Sequence, residues 1–288
     1  MNDYIIMTDS CCDLPVELAA ELGVSVLPLS VLIDDKTYKN YLDGRDISFP
    51  DYYALLRSGS LGKTSAVNVF EFTAEMEKYL AEGKDILYMG FSSALSGTYS
   101  ASTIAAEELR EKYPERKLLT VDTLSASMGQ GLFVYLAVQK KKAGASVEEV
   151  YEFVENNKMN IIQWFTVDDL NHLKRGGRVS AVAAVFGTML SIKPVMHVDS
   201  EGRLSVVEKV RGRKASITGL VNVIKERITD KSIAFISHGD CLDEAELLAS
   251  RIKEEAGVEK VIISYVGPVI GTHSGPGTLA MFFVGTER

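Results

Sequence analysis

Short apolar runs and longer amphipathic segments alternate along the first half of the chain. The runs YIIM, ILYMGF and KLLTVD each predict a buried strand. The segments LPVELAAEL, SASTIAAEELREKY and SASMGQGLFVYLAVQKKKAGA follow them with helical patterns. Strands that alternate with helices predict a mostly parallel sheet covered on both faces. VSVLPLSVLI is also rich in β-formers, but Pro28 predicts an edge strand or an interruption there.

The pattern changes after residue 157. The runs IKPVMHVD and RLSVVEKV flank the short turn SEG, which predicts adjacent strands in a mixed or antiparallel sheet. Further strand candidates are IIQWFTV, SIAFIS, KVIISYV and TLAMFFVG. Helical patterns occur in VDDLNHLKRGGR, RKASITGLVNVIKERI and DEAELLASRIKEEAG, and the apolar stretch AVAAVFGTML precedes IKPVMHVD. We therefore predict two α/β domains, residues 1–158 and 159–288.

The composition is that of an ordinary globular protein. Of the 288 residues 46% are hydrophobic, and no run of about 20 apolar residues could span a bilayer. The first residues show no basic region ahead of a long apolar one, so we expect no secretory signal and a cytoplasmic location. The net charge of −8 argues against broad binding to nucleic acids or anionic membranes.

The cysteines and histidines form no motif with known chemistry. Adjacent Cys11 and Cys12 suit neither a disulfide nor a metal site, so we expect them and Cys241 to be reduced structural thiols. The histidines lack the spacing of HExxH or of similar motifs, so no metal site is predicted. They are His172, His197, His238 and His273.

Hydroxyl side chains crowd the turn GFSSALSGTYSAS, between a predicted strand and a predicted helix. Three interpretations are open: a helix cap, a hydrolase nucleophile, or contacts to the polar end of a ligand. Ser96 is the best N-cap candidate. The nucleophile elbow G-x-S-x-G requires glycine where Ala94 stands, which argues against a serine hydrolase. Ligands of parallel α/β sheets bind beyond the carboxyl ends of the strands, where this turn, TDS and VDTLSAS all fall.

Three other segments contain glycine or capping residues that suit phosphate binding, helix packing or a helix cap. GSLGKT ends like a P-loop, but its first glycine is too close to the second and no strand precedes it, so no ATP site of that type is predicted. GQG inside a helical pattern indicates close helix packing. Asn68 and Glu71 are predicted to form a capping pair, which leaves the upstream hydroxyls of Thr64 and Ser65 outside that cap.

Two segments of the second half carry side chains that suit an anion. His273 stands in GPVIGTHSGPG between two glycine-rich turns, which could present its imidazole to a ligand. LKRGGR contains a Gly-Gly helix stop surrounded by Lys174, Arg175 and Arg178. These cations either interact with the helix dipole or form a docking point for a phosphate or an acidic partner.

Seven segments, taken in order, resemble the DegV family across practically the whole chain: TDSCCDLP, KTSAVN, SSALSGTYSAS, VDTLSASMGQG, LKRGGRVS, IKPV and GPVIGTHSGPGTLA. The resemblance implies a two-domain DegV-like α/β fold. Its N-terminal domain would be a three-layer α/β/α structure with a mostly parallel sheet, its C-terminal α/β domain would have a mixed sheet, and the ligand would lie between them. FakB-like members bind a long-chain fatty acid and present its carboxylate to a separate ATP-dependent fatty acid kinase, and the acyl phosphate enters phospholipid synthesis.

The resemblance also implies site residues and partners. By position, the carboxylate contacts are Thr64, Ser96, Ser93, the Gly97 amide and His273. Kinase docking is implied for Arg178, to which we add Arg175 and Lys174. We expect a carrier and not an enzyme, with the fatty acid as ligand and with no cofactor, metal, nucleic-acid partner or membrane span. A monomer is expected, and a transient membrane contact is compatible with this function.

The energetics of a fatty-acid ligand agree with this function. Burial of about 15 methylenes at about 0.8 kcal/mol each gives roughly 12 kcal/mol before the cost of immobilising the ligand. The polar contacts then need to orient the carboxylate and to satisfy it. A serine hydrolase acting on acyl esters, and a binding module for another apolar or phosphorylated small molecule, are the alternatives.

Overall fold

The computed structural model describes residues 3–179 and 192–288. In this part of the chain the strands are β1 (Tyr4–Asp9), β2 (Ser25–Leu27), β3 (Ser30–Ile33), β4 (Lys36–Lys39), β5 (Lys63–Ser65), β6 (Asp85–Gly90), β7 (Leu118–Asp122), β8 (Ile161–Thr166), β9 (Ile192–Val198), β10 (Leu204–Arg211), β11 (Ile233–His238), β12 (Lys260–Tyr265) and β13 (Leu279–Val284). The α-helices are α1 (Val16–Leu22), α2 (Phe49–Arg57), α3 (Val69–Ala81), α4 (Thr98–Lys112), α5 (Met128–Lys142), α6 (Val147–Asn157), α7 (Leu170–Gly176), α8 (Arg213–Arg227), α9 (Leu242–Ala256) and α10 (Pro268–Ser274). The apolar stretch AVAAVFGTML, at 181–190, lies outside the described residues.

A four-stranded parallel sheet with the order β2-β1-β6-β7 forms the centre of the N-terminal half. Every residue of β6 is buried, because helices cover both faces. Tyr88 packs edge-on against Phe72 of α3, whereas Leu87 belongs to the cluster that contains Leu132 of α5 and Val150 of α6. The predicted parallel sheet with two covered faces is confirmed.

A separate three-stranded antiparallel sheet, with the order β4-β3-β5, was not foreseen from the sequence. The segment predicted to be one β-rich stretch is divided at Pro28: β2 joins the parallel sheet and β3 joins the small one. Proline has no N–H to donate to a strand ladder, which explains the break at this position. The predicted interruption is therefore confirmed, and it separates two sheets.

The C-terminal half contains a six-stranded mixed sheet with the order β10-β9-β8-β13-β11-β12. Strands β9 and β10 form the predicted hairpin around SEG, and β11 and β12 are the parallel pair. Helices α8 and α9 cover one face of this sheet. The predicted mixed sheet is confirmed, and the predicted domain division falls in the 3-10 turn Lys158–Asn160, between α6 and β8.

Helix α5 covers the other face of the mixed sheet, so that it lies between the two large sheets. Leu132 shares one hydrophobic cluster with Met89 of β6 and with Phe235 and Phe282 of the mixed sheet. The predicted close approach at GQG is confirmed, since a Cβ atom on Gly131 would lie 2.7 Å from the Cys12 carbonyl oxygen. The two halves therefore share one hydrophobic core around this helix.

Local signals read from the sequence have the expected form. Asn68 and Glu71 make a capping box at the start of α3, and α7 ends at Gly177 in the left-handed conformation. Cys11 and Cys12 are buried free thiols, and burial raises the pKa of both well above the usual value. None of the described helices is both long and apolar enough to cross a membrane.

A buried carboxyl group connects the end of β1 to the rest of the core. Asp9 accepts hydrogen bonds from the Tyr88 hydroxyl at 2.8 Å and from the Phe91 and Cys11 N–H groups at 3.0 Å. The Gln130 side chain of α5 donates to the same carboxyl group at 3.1 Å. Burial raises the pKa of Asp9 despite these hydrogen bonds. These contacts hold β1, β6 and α5 together at one edge of the sheet.

A second buried carboxyl group, that of Asp13, connects the two halves. It accepts a hydrogen bond from the Gly267 N–H group at 3.0 Å and lies 2.6 Å from the Ser127 hydroxyl. Its backbone is left-handed, with φ of 49°. Burial raises the pKa of Asp13 to about 8. The carboxyl group is therefore mostly neutral at pH 7, and it joins the turn after β1 to α5 and α10.

We expect Asp13→Asn to stabilise the protein, relative to the wild type, increasingly as the pH rises from about 4 to about 8. The pKa of Asp13 is higher in the folded than in the unfolded chain, so folding retains a proton there and weakens as the pH rises through this range. Asparagine also tolerates the left-handed backbone. Chemical denaturation of both proteins across this range measures the difference in unfolding free energy, and a pH-independent difference would contradict the prediction.

Candidate functional site

A largely apolar cavity lies between the carboxyl end of the parallel sheet and the mixed sheet. It encloses about 940 Å³ of empty space including its open mouth, which suits a small-molecule site. The apolar side chains that line it are Leu29, Ala66, Phe91, Leu95, Ala126, Phe165, Leu173, Val198, Leu204, Val266, Val269, Ile270, Ala280 and Phe282. Both halves of the chain contribute to the lining.

A hydroxyl and an imidazole meet at one end of this cavity. The Thr64 Oγ1 atom of β5 lies 2.8 Å from Nε2 of His273, within hydrogen-bonding distance. The structure corrects the local expectation for His273, which stands in the last turn of α10 and not in a glycine-rich turn. Gly176 is required beside it, because a Cβ atom at that position would clash with the imidazole.

Helix α2 fixes the position of α10 and hence of His273. The Tyr53 hydroxyl donates to the Val266 carbonyl oxygen at 2.8 Å, and the Tyr52 hydroxyl lies 2.5 Å from Oγ1 of Thr272. Gly271 gives Tyr53 the room that it needs, since a Cβ atom there would be 2.6 Å from the tyrosine oxygen. The imidazole is therefore held by a rigid, well-packed helix.

His273 is neutral in this environment. Burial, assisted by the nearby Arg178 cation, lowers the pKa of His273 to about 4. Its Nδ1 atom is buried and has no hydrogen-bond partner among the described residues. Among the described residues the hydroxyl–imidazole pair thus lacks the carboxylate that orients the base in a hydrolytic triad, which disfavours a hydrolytic role for this pair.

The turn before α4 brings Ser96 and Gly97 to the same cavity. The Ser96 hydroxyl accepts a hydrogen bond from the Thr98 N–H group at 3.2 Å and lies 2.9 Å from the Thr98 hydroxyl. Helix α4 begins at Thr98 with Gly97 as its N-cap, so the predicted cap, Ser96, lies one position ahead of the observed one. The positive end of the helix dipole nevertheless faces this part of the cavity.

Ser93 is not brought to the cavity. Ser92 anchors the turn: its N–H donates to the Ser125 carbonyl oxygen at 3.0 Å and its hydroxyl to the Gly202 carbonyl oxygen at 2.8 Å. The next side chain consequently points outward, and Ser93 is exposed with its N–H near the Asp122 carboxylate. The expectation that Ser93 contacts the ligand carboxylate therefore has no support in this geometry.

The three predicted docking cations lie near the mouth of the cavity or at the end of α7. The exposed Arg178 lines the mouth, and its Nε atom donates to the Leu95 carbonyl oxygen at 3.3 Å. Lys174 and Arg175 are exposed in the last turn of α7, and Arg175 lies 3.1 Å from Nδ1 of His172. All three side chains are exposed, so none of them is a buried charge.

An outer groove adjoins the mouth and shares residues with the cavity. Thr64, Arg178 and His273 line both spaces. Lys63 and Arg175 line the groove but not the cavity, so the groove carries positive charge. The Thr64–His273 pair therefore stands at the boundary between an apolar interior and a cationic exterior.

Four hydroxyl side chains in the cavity wall were not predicted as site residues from the sequence: Ser127, Ser237, Ser274 and Thr278. VDTLSAS, which contains Ser127, was recognised as a strand-end segment, and Ser274 directly follows His273. Ser237 and Thr278 carried no local signal. The described residues contain no group of three or more His, Cys, Asp or Glu side chains that could hold a metal ion.

Comparison with known proteins gives consistent matches over the whole length. The profile of the family described as "Uncharacterised protein, DegV family" matches residues 4–286. A DegV domain-containing protein from Clostridium perfringens is 46% identical over 290 residues, which cover 100% of this chain and 99% of that protein.

Two solved structures illustrate the structural similarity. A DegV family protein from Thermus thermophilus, described as binding fatty acid, has a TM-score of 0.87 at 29% identity, covering 99% of this chain and 100% of its own. A fatty-acid-binding DegV family protein from Streptococcus agalactiae has a TM-score of 0.86 at 29% identity, with both chains fully covered.

We expect the imidazole of His273 to titrate with a midpoint near pH 4, because burial and the Arg178 cation disfavour its charged form. A pH titration of the ring nitrogen resonances by NMR, assigned with His273→Gln, measures this midpoint. Arg178→Gln should shift it upward by removing the nearby cation. A wild-type midpoint near the ordinary value of about 6.5 would contradict the expected burial.

Proposed function

The chain belongs to the DegV family, and from this premise we propose that its cavity binds a long-chain fatty acid. The observation that carries the proposal is an apolar cavity with a neutral hydroxyl–imidazole pair at its mouth. Relatives of known structure described as fatty-acid-binding share the fold over the whole chain. The acyl chain lies along the apolar wall, and the carboxylate lies at the Thr64–His273 end.

The head group is held by neutral donors. The Thr64 and Ser96 hydroxyls, the Gly97 amide and the His273 imidazole come from β5, the turn before α4, and α10. Hydrogen bonds to a charged acceptor are stronger than neutral ones, so few of them are needed to satisfy a carboxylate in a dry site. A bidentate arginine would occupy both carboxylate oxygens, whereas these donors leave one oxygen available for reaction.

The carboxylate is presented to a separate ATP-dependent kinase. Thr64 and His273 line the outer groove as well as the cavity, so a carboxylate held by them is accessible from outside. The kinase transfers the terminal phosphoryl group of ATP to the free carboxylate oxygen, which releases ADP and leaves an acyl phosphate for phospholipid synthesis. The chain itself is the lipid-binding subunit, and we propose that it acts in the cytoplasm as a monomer.

The cations around the mouth form the docking point for the kinase. Arg178 adjoins the carboxylate end, and Arg175 and Lys174 extend the positive surface along α7. An acidic surface of the kinase would complement them and would be steered toward the mouth. All three side chains are exposed, and none of them forms an ion pair among the described residues, so a partner's carboxylates can reach them.

Protein purified from a fatty-acid-containing host should release a long-chain fatty acid on denaturation, detected by mass spectrometry.

Thr64→Val and Ser96→Ala should each weaken fatty-acid binding by roughly tenfold or more, because each removes a hydrogen bond to the carboxylate. Thr73→Val and Ser216→Ala are matched controls, since these hydroxyls bond to carbonyl oxygens within their own helices. Correctly folded protein that neither carries nor accepts any fatty acid would overturn the proposal.

Arg178→Ala should slow phosphorylation of the bound fatty acid by about tenfold through the loss of a docking contact. Fatty-acid affinity should change far less. Lys225→Ala removes one exposed positive charge from α8, on the opposite face of the mixed sheet, and serves as the control. The measurement is acyl-phosphate formation with the kinase and ATP. A large loss of fatty-acid affinity in Arg178→Ala would instead make this residue part of the carboxylate site.

A further inference from the structure

Further hydroxyl side chains line the cavity besides those of the proposed carboxylate site. Ser127, Ser237 and Ser274 line the cavity but not the outer groove. Their exposed fractions are 5%, 0% and 5%, so each hydroxyl group is nine-tenths buried or more. Phe165, Phe282 and other apolar side chains form the wall around them. Bulk water therefore cannot serve as their usual partner.

Ser274 has an unused hydrogen-bonding group. Its Oγ atom is buried and has no partner among the described residues. A buried hydroxyl group in this state destabilises the protein relative to one that is satisfied. Thr278, by contrast, also lines the cavity, but its hydroxyl already donates to the Gly275 carbonyl oxygen at 2.8 Å. Ser274 is therefore available to a molecule in the cavity.

Ser237 is the inner end of a hydrogen-bonded chain. The Asp13 carboxyl group lies 2.6 Å from the Ser127 hydroxyl, and this hydroxyl lies 2.8 Å from that of Ser237. Asp13 also accepts from the Gly267 N–H group, and burial raises its pKa to about 8, which favours the neutral acid at pH 7. The Ser127 hydroxyl donates to the Asp13 carboxyl group, so its single hydrogen is used there. Ser237 therefore donates to Ser127 and keeps its oxygen lone pair for a donor in the cavity.

The backbone holds this chain in place at a conformational cost. Ser127 has φ of 51° and ψ of −142°, a conformation that side-chain-bearing residues adopt rarely. Such strain persists where the surroundings impose it. The Ser127 hydroxyl is therefore held between Asp13 and Ser237, at the start of α5.

We propose that the cavity selects acyl chains that carry an additional oxygen, as a hydroxyl or keto group, which binds to Ser237 and Ser274. This inference rests on the proposed fatty-acid function and narrows its substrate class. An unsubstituted chain would place methylenes against both hydroxyls and leave Ser274 with no partner and Ser237 with Ser127 alone. A ligand hydroxyl could donate to Ser237 and accept from Ser274, and a keto oxygen could accept from Ser274.

The test compares stearate with a series of hydroxystearates and ketostearates that carry the oxygen at different carbons. Wild-type protein should bind at least one isomer about fivefold more tightly than stearate, the effect of one added hydrogen bond. Ser274→Ala and Ser237→Ala should abolish that preference and bind stearate more tightly than the wild type does. Ser216→Ala, which removes a buried hydroxyl from α8, should leave the preference unchanged.

The two variants should lose affinity for the substituted acids and gain affinity for stearate. These opposite changes distinguish contact with the ligand from a purely structural role of the serines. A substitution that merely damages the fold would weaken stearate and the substituted acids alike, and with that result for both variants the inference fails. Wild-type protein that binds stearate at least as tightly as every isomer would also overturn it, while the fatty-acid function itself would stand. Failure to bind any of these acids would contradict the proposed function instead.

Discussion

The packing of α5 between the two large sheets determines how the rest of the molecule is arranged. Glycine at position 131 lets the helix backbone approach the Cys12 carbonyl oxygen, and Gly129 lies similarly close to Gln163 of β8. One hydrophobic core consequently spans both halves of the chain. The carboxyl ends of the parallel strands then face the mixed sheet across a gap at the start of α5. That gap is the cavity, so its position follows from how the helix is packed.

For the proposed fatty-acid ligand, binding energy and orientation would come from different groups. The apolar wall would supply affinity through burial of surface, which has no preferred direction. The polar groups would fix direction: the Thr64–His273 pair at the mouth, and Ser237 and Ser274 in the cavity wall. Positive charge is kept outside, on the exposed end of α7 and on Arg178. A carboxylate at the mouth would thus meet neutral donors from within and cations from the outer groove.

Features that depend on neighbouring residues could be predicted from the sequence. The parallel and mixed sheets followed from the periodicity of apolar residues, and the capping box of Asn68 and Glu71 followed from their spacing. The break at Pro28 and the helix stop at Gly177 have equally local causes, a missing N–H group and a left-handed backbone. The small antiparallel sheet was missed because β3 and β5 pair across a long stretch of chain, which no local pattern records.

By itself the sequence determined the α/β class, the order along the chain of the strands in the two large sheets, and the segments that hold polar groups at strand ends. Tertiary structure alone decided which of those groups face the ligand cavity. Thr64 and His273 are 209 residues apart, yet they meet because α2 positions α10 against β5. In the serine-rich turn, anchoring of Ser92 directs Ser93 into solvent and leaves Ser96 at the cavity. Side-chain direction depends on such long-range contacts, and a linear sequence pattern does not contain them.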